Sequence, residues 1–155
     1  TGIGDTAFGP DAACTRAQAV AFLFRYAVAS GMDAVTLADL ISGFADAASV
    51  PGYAVSAMNW ALANGIVQGN GGALMPNNTC TRGQSVTFLY RAMGTAPTTV
   101  NGFTDVESNA FCAEAVAWAV ENGVTNGTSA SAFSPNAGCT RAQIVTFLYR
   151  AYQGK

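Results

Sequence analysis

Six arginines and one lysine are the only basic residues in this 155-residue chain, and the arginines fall in two repeating places. Arg16, Arg82 and Arg141 each follow a threonine in a short recurring string: CTRAQ at Cys14–Gln18, CTRGQ at Cys80–Gln84 and CTRAQ at Cys139–Gln143. Arg25, Arg91 and Arg150 each close an apolar run: FLFR at Phe22–Arg25, FLYR at Phe88–Arg91 and FLYR at Phe147–Arg150. A guanidinium presents a planar fork of donors that suits a carboxylate or a phosphate. The first series therefore raises the question of what negative group it meets.

Thr-Arg-x-Gln reads first as a capping box. Thr15, Thr81 and Thr140 are expected N-caps, with Gln18, Gln84 and Gln143 at the third helical position returning a hydrogen bond. The arginine then stands at the first helical position, where the positive end of the helix dipole disfavours a cation by roughly 0.3–1 kcal/mol. Helix stability alone would place Asp or Glu there. A negative partner is expected, and two remain open: an internal carboxylate, Asp46 or Asp105, or a ligand docked at the helix N-terminus. The second series lies nine residues further on, about 900° of helical rotation, and is expected on the opposite face as solvent-facing or inter-repeat structural residues.

Catalytic chemistry has little material here. The chain contains no histidine and only nine acidic residues, so the commonest general base and the commonest metal ligand are both missing. A glycoside hydrolase would need two carboxylates roughly 5–9.5 Å apart. Asp46 and Asp105 occupy matching repeat positions and are expected to stand well apart, while Glu107, Glu114 and Glu121 fall along one stretch with a solvent-facing pattern. No enzyme is expected. The four cysteines form no C-x-x-C pair, which argues against a zinc site. The glycine-rich stretch Gly69–Gly72 lacks the lysine of a phosphate loop. No cofactor or metal is expected.

Net charge is −2, so no nucleic-acid partner is expected through bulk positive charge. No apolar run approaches the roughly 18 residues of a membrane span, so membrane insertion is not expected either. Half of the residues are hydrophobic and a tenth charged, which allows a sizeable core under a mostly neutral surface.

The elements that must position these arginines repeat along the chain. Gly43–Ala92 and Gly102–Ala151 match as F-x-D, an aromatic, A-x-x-W-A, N-G-[IV], G, [LF]-x-P, C-T-R-x-Q and F-L-Y-R. Residues 1–32 carry only the second half of this pattern, 33–42 read as a linker, and 43–97 and 98–155 as two full repeats. The half unit suggests a chain cut or incomplete at its N-terminus. Each repeat predicts two helices around a glycine-rich loop. Tyr53, Ala57, Trp60 and Ala61 recur at helical spacing, as do Phe111, Ala115, Trp118 and Ala119. Asn64-Gly65-Ile66 and Asn122-Gly123-Val124 predict left-handed glycine stops. Val20, Leu23 and Phe24 mark the second helix in the first copy, Val86, Leu89 and Tyr90 in the next, and Val145, Leu148 and Tyr149 in the last. Leu37–Leu40 suggests a further helical turn. The tryptophans read as core rather than as sugar-stacking platforms, and Cys14, Cys80 and Cys139 as small buried hydrophobes. A Cys112–Cys139 disulfide is a further option, since both cysteines belong to one repeat. The fold class is all-α.

F-x-D, A-x-x-W-A, N-G-[IV]-x-x-G, F-x-P and T-R-[AG]-Q in tandem resemble the S-layer homology domains of bacterial cell-surface proteins. The resemblance covers nearly the whole chain. It implies tandem helix–loop–helix repeats in a three-pronged, pseudo-threefold spindle, with the first repeat incomplete. It also implies an exported protein held non-covalently at the extracellular cell wall by an anionic secondary cell-wall polysaccharide, often pyruvylated, bound in grooves between prongs. Self-association through the incomplete first repeat is the alternative. Carried onto this sequence, the glycan- or anion-binding set comprises Thr15, Arg16, Gln18, Thr81, Arg82, Gln84, Thr140, Arg141 and Gln143, with Asp46, Asp105, Gly69 and Gly127. Gln replaces the family's usual Glu three times, which removes negative charge from each groove. Gly83 replaces Ala, and Leu74 stands where F-x-P has Phe.

Overall fold

The computed structural model describes residues 2, 6–32 and 38–153. The start at Thr1, the linker residues 33–37 and the Leu37 end of the expected turn lie outside them; residues 38–40 are not helical, and a short 3-10 turn follows at Ile41–Gly43. The architecture is all-α: α1 (Arg16–Ala29), α2 (Val55–Ala63), α3 (Arg82–Met93), α4 (Ala113–Glu121) and α5 (Arg141–Gln153). Among the described residues, β-structure is limited to isolated bridges.

The long helices start where the sequence places them. The Gln18 amide donates to the Thr15 hydroxyl at 3.2 Å, and the Thr15 amide donates to Gln18 Oε1 at 3.1 Å. The same reciprocal pair closes Thr81 with Gln84 and Thr140 with Gln143. The short helices stop at Asn64-Gly65 and Asn122-Gly123. Gly65 and Gly123 adopt φ of +66° and +67°, a left-handed turn that avoids a Cβ clash. The next amides, Ile66 and Val124, then return to Ala61 and Ala119 carbonyls at 2.8 Å.

Helices pair across the repeat boundary. α2 packs on α1, and α4 packs on α3. Trp60 of the second repeat lies 5.6 Å from the Phe24 ring of the first, and Trp118 of the third lies 5.8 Å from Tyr90 of the second. Both tryptophans are buried, in agreement with a core role. In α5 the matching positions, Val145 and Tyr149, are exposed. Tyr53 and Phe111 depart from the expected apolar stripe. They precede their α-helices and are 54% and 63% exposed.

The three copies meet on their cysteines. The Cys14 amide donates to the Cys139 carbonyl at 2.9 Å, Cys139 to Cys80 at 2.9 Å, and Cys80 to Cys14 at 2.8 Å, which closes a ring. A side chain larger than a thiol would have to find room at this crowded centre, where all three are at most 1% exposed. All four cysteines are free and buried, so Cys112 and Cys139 are not a disulfide.

Candidate functional site

Each Thr-Arg-x-Gln helix start is clamped onto the loop of another repeat. The Arg16 and Ala17 amides donate to the Asn78 and Pro76 carbonyls at 2.9 Å. Arg82 and Gly83 do the same with Ala137 and Pro135, and Arg141 and Ala142 with Ala12 and Pro10. The free helix-start donors expected for a ligand are thus already bonded within the protein. The two orders of hydrogen bonds, loop and cap, satisfy the first turn of each helix.

The arginine side chains continue the clamp. Nε of Arg16, Arg82 and Arg141 donates to the carbonyls of Leu74, Phe133 and Phe8, each at 2.9 Å. Aromatic faces then hold the guanidinium. Arg82 lies 4.9 Å from the Phe133 ring and 5.4 Å from Phe147, and Arg141 lies 4.9 Å from Phe8 and 5.1 Å from Phe22. Arg16 has a single ring, Phe88 at 5.4 Å, because Leu74 stands where the other copies supply Phe133 and Phe8. Arg82 and Arg141 are consequently buried, at 5% and 3% exposure, while Arg16 is half-buried. A cation–π contact contributes about 0.5–2 kcal/mol, enough to offset the helix-dipole cost of an arginine at this position.

Asp46 and Asp105 hold the same loops from the other side. The Leu74 and Met75 amides donate to the Asp46 carboxylate at 2.8 and 2.7 Å, and the Phe133 and Ser134 amides donate to Asp105 at the same distances. These bonds hold both carboxyl groups below their ordinary range, with Arg16 and Arg82 adding a smaller pull. The aspartates therefore frame the loop.

The open space lies between repeats. Arg16, Gly69, Gln84 and Phe88 line a cleft of about 390 Å³ together with Arg91 and the exposed Phe111 ring. Gly69, with φ of +72°, must be glycine: a Cβ would sit 2.6 Å from the Phe44 ring and 2.9 Å from the Ala73 carbonyl oxygen. Gly127 repeats this against Phe103. A second cleft, of about 190 Å³, brings Arg141 together with Gly2, Gln18, Phe22, Arg25 and Tyr53. Thr15, Thr81 and Thr140 serve as caps and are not among the residues lining these two clefts.

Arg91 and Arg25 line these clefts, a role the opposite-face expectation did not foresee. The 900° rotation compares residues of one helix, whereas each cleft joins the first arginine of one copy to the second arginine of the next. Phe111 and Tyr53 were also missed as cleft residues, because their helical spacing matched a core stripe. A cleft with two guanidinium groups, side-chain amides and an exposed ring can hold a carboxylate and the apolar face of a sugar.

A family model described as the S-layer homology domain matches residues 43–84 and 102–145, more than half of the chain. The "Surface-layer 125 kDa protein" of Lysinibacillus sphaericus is 31% identical over 105 residues, which cover 67% of this chain and 9% of that protein. The present chain thus spans a small part of that relative's length. The clamped repeats and the match together lead to one conclusion: the chain belongs to the S-layer homology family, whose domains act at the bacterial cell surface.

Proposed function

We propose that this chain holds an exported protein to the bacterial cell wall by binding an anionic polysaccharide whose sugars carry a carboxylate such as a pyruvate ketal. Domains of this family bind cell-wall polymers in general. The finer reading rests on the cleft shared by Arg16 and Arg91, where Gln84 and Asn70 offer amides to sugar hydroxyls and Phe111 offers a flat face. Among the described residues this cleft is lined by no carboxylate, which suits recognition of an anion rather than acid–base chemistry. The ring of cysteine peptides supports a three-pronged arrangement of the copies, with clefts between them.

Co-sedimentation with purified wall polysaccharide tests the reading. Binding should fall as salt is raised, because partly exposed charges are screened. It should also be lost when the polymer's acidic substituents are removed by mild hydrolysis. Equal binding to the stripped polymer would overturn it.

A second reading, self-association through the first copy's region, draws on the exposed face of α5. Val145, Tyr149 and Tyr152 line a groove with Tyr26. Sedimentation over a range of protein concentrations separates the two readings. A monomer at every concentration that keeps wall binding would overturn the second.

A further inference from the structure

The two full repeats carry the same clamp with one side chain exchanged. Val67 and Thr125 both stand two residues before the cleft glycines, Gly69 and Gly127. Both are buried, at 2% and 3% exposure. The Thr125 hydroxyl oxygen accepts from the Gly127 amide at 3.3 Å and from Arg82 Nη2 at 3.4 Å. Valine has no oxygen to offer there. Among the described residues, the Gly69 amide and the terminal guanidinium nitrogens of Arg16 have no hydrogen-bond partner, while Arg16 Nε keeps its bond to Leu74. Both residues line the large cleft.

We infer that the Thr125 hydroxyl is a built-in stand-in for a ligand oxygen. In the Arg82 clamp it takes the place that one carboxylate oxygen of an acidic sugar takes in the Arg16 clamp. The inference rests on the anion reading of the cleft. One oxygen can accept from both the glycine amide and the guanidinium, as the Thr125 hydroxyl does, whereas the matching Gly69 and Arg16 donors face the open cleft. In the third repeat the protein supplies that acceptor itself. In the second repeat Val67 leaves it to be supplied from outside, and a carboxylate oxygen accepts more strongly than a neutral hydroxyl because it is charged. The threonine is tethered to the chain, so a free sugar has to displace an acceptor of high effective concentration. Phe133 and Phe147 further enclose Arg82, whereas Leu74 leaves Arg16 open. The repeats therefore differ in specificity: Val67 marks the binding copy and Thr125 the closed one.

Amide NMR of the intact chain, titrated with a methyl hexoside bearing a cyclic pyruvate ketal, tests this. In the parent the Gly69 resonance should move and Gly127 should stay. Thr125→Val should make Gly127 respond, with an affinity within about tenfold of the Gly69 response. Thr125→Ser, which keeps the hydroxyl, should leave Gly127 silent. Val67→Thr should weaken the Gly69 response by at least about tenfold. A Gly127 response in the parent equal to that of Gly69 would overturn the stand-in. So would a folded Thr125→Val in which Gly127 stays silent while Gly69 responds. Should Thr125→Val fail to fold, an undiminished Gly69 response in Val67→Thr would overturn it instead. Silence of both glycines in the parent would overturn the anion reading itself.

Discussion

Arg16 and Asp46 hold one residue between them. Arg16 Nε donates to the Leu74 carbonyl at 2.9 Å, and the Leu74 amide donates to Asp46 at 2.8 Å. Arg82 and Asp105 grip Phe133 in the same way. The arginine belongs to one repeat and the aspartate to the next, so the pair ties copies together through a peptide group of the loop. This explains much of the arginine's placement at a helix start without a direct ion pair. It also leaves the terminal guanidinium nitrogens of Arg16 for other work.

Removing Asp46 should loosen that loop. Asp46→Ala leaves the Leu74 and Met75 amides without an acceptor, and Met75 is held at φ of 53°, an uncommon conformation for a side-chain-bearing residue. The expected loss is about 1–2 kcal/mol, at the lower end for an unpaired buried donor because the carboxylate is only half-buried. Asp46→Asn, which retains one acceptor oxygen, should lose less. Urea unfolding monitored by Trp60 and Trp118 fluorescence measures both; equal stability of Asp46→Ala and the parent would refute the clamp.

Acid should act through the same two groups. Asp46 and Asp105 are held below their ordinary value of 3.8, chiefly by backbone amide hydrogen bonds. A carboxyl with a lowered folded value contributes its full stability above the unfolded value, and loses it as pH falls through the folded one. Stability should therefore be level with respect to these groups above about pH 5 and fall below pH 3.8. Asp46→Asn should flatten part of that fall in a series of urea midpoints. An unchanged acid limb would show that Asp46 does not carry it.

The parts legible in the sequence were those fixed by local spacing. Thr15 and Gln18 form their box three residues apart, and Asn64-Gly65 stops its helix within a few residues. The F-x-D aspartates were legible as partners of the arginine system, though their contact proved to be with loop amides. The clefts depend on which copy meets which, and no local pattern holds that. Arg91 enters the Arg16 cleft from another helix, and Phe111 reaches it from the following repeat. Leu74 for phenylalanine looked a small exchange of apolar groups. Its consequence, one ring fewer over Arg16, appears only when the loop is laid on the neighbouring helix.

The second arginines should divide by cleft. Arg91 lines the Arg16 cleft while donating to the Ile66 carbonyl at 3.2 Å. A charge-assisted hydrogen bond contributes roughly 1.5–3 kcal/mol, so Arg91→Ala should weaken binding of acidic wall polysaccharide by about 10- to 150-fold. Arg150→Ala, beside the closed Arg82 clamp, should change it by less than about threefold. Calorimetric titration of folded variants compares them. Equal losses would show that both copies bind.

The thiols should be silent until the fold opens. Cys14, Cys80, Cys112 and Cys139 are buried and free. Burial pushes Cys14 up to about 12 and Cys80 to about 11, and raises Cys112 and Cys139 as well. The thiolate is the reactive form, so a disulfide reagent at neutral pH should find almost no thiol in the native protein. In guanidinium all four should react. Fast reaction of any one in the native state would place it on the surface.

Two glycines with the same handedness should differ sharply in what they tolerate. Gly65 and Gly69 have φ of +66° and +72°, so alanine at either position meets the left-handed penalty of about 1–2 kcal/mol. At Gly65 a Cβ finds nothing within 4 Å, and the cost should end there. At Gly69 it would lie 2.6 Å from the Phe44 ring and 2.9 Å from the Ala73 carbonyl oxygen. The ring can turn, but the carbonyl belongs to the backbone that shapes the cleft, so this loop has to move. Gly69→Ala should cost at least about 3 kcal/mol, as overpacking adds to the backbone strain, and should weaken polysaccharide binding. Gly65→Ala should leave binding untouched. Thermal unfolding and polysaccharide binding, measured on both variants, check the pair. If Gly69→Ala costs no more than Gly65→Ala and still binds, the loop yields easily and the cleft is not the rigid receptor described for Arg16.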